Sequence, residues 1–83
     1  MSEELKVSVD RFANCAYVSL RDAEVARTEQ VNDSVNADLD SAGQVVGLEL
    51  LTLGATVPIK DIASKFHLSS DETKKFELAL ATL

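Results

Sequence analysis

The stretch DLDSAGQVVGLELL, from Asp38 to Leu51, decides how this chain of 83 residues folds. It begins at the end of a segment in which apolar and polar side chains alternate, and residues 40–43 then have the composition of a tight loop. Gly43 is free to take the left-handed conformation of a type I turn that is followed by a bulge. Residues 44–53 are mainly apolar. The stretch therefore predicts a β-hairpin whose return strand is apolar on both faces.

Upstream of this hairpin the chain has the two-residue period of strands. Apolar and polar residues alternate in segments 5–9, 16–20 and 35–39, while segment 24–31 is more polar. The polar residues 11–14 predict a turn between the first two strands, and the polar third segment predicts an exposed edge strand. We therefore expect a small antiparallel β-meander of about five strands over residues 5–53.

After Gly54 the period becomes that of helices. The apolar residues Ile59, Ile62, Ala63 and Phe66 predict a first helix that starts near Pro58. Ser69 and Glu72 have the spacing of a capping box and predict the start of a second helix that continues to Leu83. We expect one α+β domain over residues 1–83, in which a helical hairpin over 56–83 packs on one face of the meander. Its predicted core contains Val46, Leu48, Leu50, Ile62, Phe66, Phe76 and Leu80.

Composition and charge exclude several functions. The formal charge of −6 opposes the electrostatic attraction on which general DNA or RNA binding depends. The single cysteine, Cys15, has no partner for an internal disulfide, which favours a reducing compartment. The first residues, MSEELKV, lack the features of a signal peptide, and no stretch has the length of a membrane span. We expect a cytoplasmic protein that does not bind a membrane and has no general affinity for nucleic acid.

Two motifs follow one another in the order of a known family. The first comprises Asp10, Asn14, Tyr17 and Val18; the second, on the hairpin, comprises Asp38, Asp40, Gly43, Val46, Gly47, Leu48 and Glu49. Together they resemble a bacterial and phage family known only as domain of unknown function 2283, over about residues 9–51. The resemblance implies a small strand-rich fold and brings no known activity. Asn14 stands where that family usually has Asp, and the tail from Gly54 onward lies outside the resemblance.

The hairpin also has the residue spacing of a calcium loop. Asp38, Asp40, Gly43, Val45 and Glu49 match loop positions of an EF-hand. Ala42, however, replaces an oxygen ligand, and the flanking segments predict strands where an EF-hand has helices. We therefore predict a β-turn and no metal site.

Residues 62–73, IASKFHLSSDET, resemble the opening of a helix-turn-helix. The segment that would be the recognition helix begins with Ser70, Asp71 and Glu72, which puts negative charge where phosphates and bases would be contacted. His67 stands where that motif commonly has Gly. A small DNA-binding regulator that uses residues 58–83 is the alternative function.

No catalytic residue is predicted. Neither Cys15 nor His67, the single histidine, has a base or nucleophile at a recognisable spacing. Tyr17 with Asp10 and Asn14 would line a polar pocket, or Tyr17 would simply be a packing residue of a strand. We expect no cofactor and no enzymatic activity.

The fifth strand predicts self-association. In regular alternation Val46, Leu48 and Leu50 face one side, and Val45, Leu51 and Leu53 face the other. Two helices cover only one face of a small sheet, and an apolar second face would be buried by a second copy. The sequence therefore predicts a homodimer with Val45, Leu51 and Leu53 at the interface. The expected function is a non-enzymatic interaction module, self-associating or bound to a protein partner, of an accessory or antitoxin-like kind.

Overall fold

A computed structural model of the chain describes residues 5–83 and shows a five-stranded antiparallel sheet followed by two helices. This confirms the predicted α+β class. Residues 1–4, which belong to the predicted domain and to the segment considered as a signal peptide, lie outside the described residues. The strands are β1 (Lys6–Asp10), β2 (Cys15–Ser19), β3 (Arg27–Asn32), β4 (Val35–Leu39) and β5 (Val45–Leu50), and the helices are α1 (Ile59–Phe66) and α2 (Ser70–Leu80).

The strand order is β1-β2-β5-β4-β3, which corrects the expectation of a simple meander. β1 and β2 form a hairpin, β3, β4 and β5 form a three-stranded meander, and β5 lies beside β2 so that both units share one sheet. The composition of the strands explains this order. β5 is buried at nearly every position and occupies the centre, whereas the polar β3 occupies an edge, where its sequence predicted it.

The turn between β4 and β5 has the predicted form. Gly43 has a φ of 82°, in the left-handed region. Its N–H donates to the carbonyl of Asp40 at 3.0 Å, and the N–H of Asp40 donates to the carbonyl of Gln44 at 2.9 Å. This closed loop sets where β5 begins.

A β-bulge in β5 decides which way Val45 points. Leu39 of β4 pairs with Val45, whereas its neighbour Asp38 pairs with Gly47, so Val46 is an extra residue on β5. Because side chains alternate with a period of two, one extra residue moves the preceding side chain to the opposite face. Val45 therefore shares a face with Leu39, and both are completely buried.

The helices form a short hairpin that covers this face of the sheet. The Ser69 hydroxyl accepts from the N–H of Glu72, whose carboxylate accepts from the N–H of Ser69, so the predicted capping box is confirmed. α1 buries Ile62 and α2 buries Phe76. Helices of 8 and 11 residues are too short to be stable alone, so packing on the sheet supplies most of their stability. Neither one has the length and apolar content to cross a bilayer, within residues 5–83.

The core contains most of the residues predicted for it. Leu48, Leu50, Ile62 and Phe76 belong to one buried cluster, and Phe66 and Leu80 pack against it while partly exposed. Val46, the bulge residue, is buried outside that cluster. The other strands contribute Ala16, Val18, Leu20, Ala37 and Leu39. The core therefore lies between the helices and one face of the sheet, which leaves the opposite face of the sheet outside it.

Candidate functional site

The three residues predicted to form an interface lie in different environments. Val45 is completely buried on the helix-covered face, so its assignment to the second face is corrected by the bulge. Leu53 lies in a bend after the end of β5 at Leu50, three residues earlier than predicted, and packs against the core. Leu51, in the same bend, is 51 % exposed. The three do not share one apolar face, so they do not form the continuous apolar surface that predicted a homodimer there.

The face of the sheet opposite the helices is polar. Among residues 5–83 no helix or strand packs over it; we call it the open face. Alternation along the strands directs onto it the side chains that do not enter the core. Cross-strand pairing arranges them in two rows: Ser8, Tyr17, Glu49, Asn36 and Gln30 in one, and Lys6, Ser19, Gly47, Asp38 and Thr28 in the other.

Gly47 makes room for Tyr17 at the centre of the open face. A Cβ atom at Gly47 would lie 2.5 Å from the Tyr17 hydroxyl oxygen and 2.6 Å from Cζ, so the ring rests directly on the glycine. The hydroxyl interacts by a hydrogen bond with Asp38. Burial, that hydrogen bond and the charges of Asp38 and Glu49 raise the pKa of Tyr17 above its usual range. The phenol is therefore a hydrogen-bond donor at neutral pH.

Asp38 and Glu49 bring two carboxyl groups together beside this phenol. Asp38 is 5 % exposed, and its Oδ1 accepts from the Thr28 hydroxyl at 2.5 Å. The hydrogen bond with Asp38, burial and the Asp38 charge raise the pKa of Glu49, whereas a hydrogen bond with Asn36 opposes this shift. None of the ion pairs within residues 5–83 involves either carboxyl group. The carboxyl group of Glu49 is therefore less acidic than that of an ordinary glutamate.

An open depression of about 350 Å³ adjoins this cluster. Its lining includes Ser8, Asp10, Cys15, Tyr17, Glu49 and Leu51. Asp10 and Tyr17, which the sequence suggested for a polar pocket, do meet here. Asn14 does not, because its Nδ2 donates to Thr52 Oγ1 at 3.0 Å in the turn next to it. The depression combines polar groups with apolar ones, among them the exposed Leu51, a mixture typical of a recognition surface.

The calcium-loop residues are divided between the turn and the open face. Asp40 Oδ1 accepts from the N–H groups of Ala42 and Gln44, each at 2.9 Å, so this carboxylate stabilises the turn. Asp38 points to the open face, where its carboxylate accepts a hydrogen bond from the Thr28 hydroxyl. In the described part of the chain no three His, Cys, Asp or Glu side chains cluster as metal ligands would. The lack of useful calcium binding stays a prediction.

The start of α2 is acidic and joined to the sheet. Arg21 Nη2 lies 2.5 Å from Glu72 Oε2, and Arg21 Nε donates to the carbonyl of Val45 at 2.9 Å. Burial would raise the pKa of Glu72, but the Ser69 N–H and the Arg21 charge hold it below its ordinary value. The turn that a recognition helix would present to DNA thus carries carboxylates and a structural ion pair. DNA binding stays the untested alternative.

Cys15 and His67 lie in different layers. Cys15 lines the depression on the open face, whereas His67 follows α1 in the helical layer and has a left-handed φ of 58°. Its backbone N–H donates to the carbonyl of Ala63, which closes the helix. This arrangement does not bring a nucleophile and a base together at these two residues.

Sequence reasoning missed the cluster of Tyr17, Asp38 and Glu49. Each residue was noted separately, but their contact depends on β2 pairing with β5, which the meander prediction excluded. The Gly47 and Glu49 spacing of the hairpin motif was the available signal, because a glycine and a carboxylate two residues apart on one strand share a face.

Comparison with known proteins identifies one family. A family model described as a protein of unknown function (DUF2283) matches residues 6–53, more than half of the chain. The match includes all five strands and every residue of the two open-face rows, and it ends before α1. No curated protein and no solved structure gives a significant match.

Proposed function

The chain belongs to the DUF2283 family of proteins of unknown function, and from its geometry we propose that it is a non-enzymatic interaction module that binds a protein partner through the open face. The helices and core hold the sheet, and the open face presents the polar side chains to the partner. A reducing cytoplasmic compartment suits this role, because the single cysteine has no disulfide partner in the chain.

The observation that carries the proposal is the cluster of Tyr17, Asp38 and Glu49. Burying a polar group costs free energy, and an aspartate on an ordinary solvated sheet face stays exposed to water. Asp38, in contrast, is only 5 % exposed beside Tyr17. Here the phenol, the two carboxyl groups and a depression of about 350 Å³ meet on one surface. Such a preorganised surface binds with little loss of side-chain entropy.

The charges of the cluster indicate the chemistry of the partner. The pKa of Glu49 is raised by its hydrogen bond with Asp38, by burial and by repulsion from the Asp38 charge, and no ion pair within residues 5–83 involves either carboxyl group. A lysine or arginine from a partner would relieve this repulsion and form charge-assisted hydrogen bonds. The net charge of −6 favours the approach of a basic surface for the same reason. The partner is therefore a protein that presents a basic side chain beside an apolar contact for Leu51.

Affinity purification from the native host tests the proposal with three forms of the chain. The wild type is compared with Glu49→Lys, which reverses the charge at the cluster, and with Glu77→Lys, which makes the same change on the exposed surface of α2. Circular dichroism confirms that each variant is folded. Wild type and Glu77→Lys should recover one stoichiometric protein partner that Glu49→Lys loses.

Two outcomes would contradict the proposal. If Glu49→Lys recovers the same partner as the wild type, the open face is not the contact surface. If no protein is enriched and the chain instead gives a salt-sensitive shift of promoter DNA, the helix-turn-helix alternative is favoured.

A further inference from the structure

We propose that a second copy of this chain pairs with the outer edge of β1, where no other strand of residues 5–83 lies, antiparallel and centred on Ser8, to form a continuous ten-stranded sheet. The side chains of Lys6, Ser8 and Asp10 border the open face, but the contact is made through the backbone edge of β1 and not through the cluster of Tyr17, Asp38 and Glu49, so the inference does not depend on the proposed function. It replaces the Val45 and Leu53 contact expected for a homodimer with a different surface.

β1 is the less protected edge of the sheet. All five residues of Lys6–Asp10 are exposed, and their pairing with β2 is regular throughout. Its outer side therefore presents a straight row of backbone donors and acceptors. A strand from another chain can form hydrogen bonds with such a row. The opposite edge, β3, contains a register shift between Gln30 and Asn32, and Glu29 there lies 4.0 Å from Lys65 of α1. Bulges and charges of this kind block edge pairing.

The helix-side face of β1 is apolar but incompletely covered. Val7 and Val9 pair with the buried Val18 and Ala16, so they extend the apolar face of the sheet, yet they are 39 % and 36 % exposed. On this side of the sheet α2 packs against β2, the next strand inward. A strand added beyond β1 would cover these two valines.

The sequence of β1, KVSVD, is complementary to itself when it is read in the opposite direction. Centring two antiparallel copies on Ser8 places Lys6 opposite the second copy's Asp10, and Val7 opposite the second copy's Val9. Both copies then keep their helices on the same side of the sheet, because paired residues share a face. Among the registers that keep the valines of both copies on one face, this one pairs all five residues and places each charged side chain opposite one of the other sign. Charge complementarity and apolar contact thus select a second copy as the occupant.

Sedimentation equilibrium tests the association and its register. A one-strand interface is small, so the dimer should be weak and the series should extend to about 1 mM protein. The wild-type mass should rise from 9.0 kDa toward twice that value. Lys6→Asp and Asp10→Lys, each alone, should weaken self-association roughly tenfold, because both attractive pairs of the dimer become repulsive. The double variant, Lys6→Asp with Asp10→Lys, should regain wild-type association.

Mixing the two single variants gives the sharpest result. Lys6→Asp protein offers two acidic strand ends and Asp10→Lys protein two basic ones, so the mixture should form a heterodimer more readily than either variant self-associates. Val25→Lys is the matched control, since Val25 is 44 % exposed beside the start of β3 at the other edge, and it should leave the dimer unchanged.

Three results would overturn the proposal. A wild-type mass that stays at 9.0 kDa across the series excludes the dimer. A dimer that forms without regard to the charges of Lys6 and Asp10 excludes this register. A dimer lost on Leu51→Lys and kept in the β1 variants would assign the contact to the open face instead.

Discussion

Replacing Gly47 by alanine should destabilise the fold through Tyr17. The added Cβ would lie 2.5 Å, 2.6 Å and 2.7 Å from Oη, Cζ and Cε1 of the tyrosine, whereas ordinary contacts begin near 3.4 Å. The ring must therefore move by about 1 Å, which strains the packing and weakens its hydrogen bond with Asp38. Overpacking costs about 1–3 kcal/mol and a lost hydrogen bond about 1 kcal/mol, against a gain of about 0.5–1 kcal/mol from replacing glycine in a strand.

The expected net loss in the free energy of unfolding is about 1–3 kcal/mol. Urea denaturation followed by circular dichroism measures it, and Tm should fall by about 4–8 °C for each kcal/mol in a domain of this size. Gly54→Ala is the matched control, because a Cβ there meets no atom within 4 Å. Its effect should stay within about 0.5 kcal/mol.

A double-mutant cycle tests whether the Tyr17 ring causes the loss of stability in Gly47→Ala. In a Tyr17→Ala background Gly47→Ala should cost nothing or be slightly stabilising, which makes the coupling energy between the two positions at least about 1 kcal/mol. An equal cost in both backgrounds would refute the placement of the Tyr17 ring on Gly47.

Three further changes test the electrostatics and the turn. Glu49→Gln should stabilise the isolated chain by about 1 kcal/mol at pH 7, because it removes the repulsion from Asp38. Since the folded-state pKa of Glu49 is raised, the wild type is stabilised as pH falls through that pKa, and the difference in unfolding free energy between the variant and the wild type should disappear near pH 4. A difference that is constant with pH would show that ionisation of Glu49 is not its cause. Glu72→Gln should destabilise by about 1–2 kcal/mol at pH 7 through the weakened contact with Arg21. The folded-state pKa of Glu72 is lowered, so its contribution is present above about pH 4 and is lost in acid, and urea titrations at pH 7 and pH 3 should show the loss only at pH 7. Asp40→Ala should cost about 1 kcal/mol in thermal unfolding, because two turn N–H groups lose their acceptor, and an unchanged Tm would show that water replaces it.

Local patterns predicted the elements of the fold well. Strand alternation, the Gly43 turn and the capping box of Ser69 and Glu72 each depend on residues close together in the sequence, and all three are confirmed. The strand order could not be read in the same way. The pairing of β2 with β5 joins residues about thirty positions apart, and it follows from burying β5 at the centre.

The candidate site escaped prediction for two physical reasons. One extra residue at Val46 reverses the face of Val45, and alternation alone does not reveal where a bulge lies. The cluster of Tyr17, Asp38 and Glu49 joins three strands, so it exists only once their registers are known. An apolar second face was therefore expected where the structure has a polar one.

Site-specific photo-cross-linking in the native host tests most directly whether the open face is the binding surface. A benzophenone amino acid is placed at Gln30, which is exposed in an open-face row, and in a second strain at Glu77, which is exposed on α2. Position 30 should give one discrete covalent product with a partner protein, reduced when Glu49→Lys is added, and position 77 should not give that product. A product that forms equally from both positions, or no product from position 30, would contradict the assignment of function to this face.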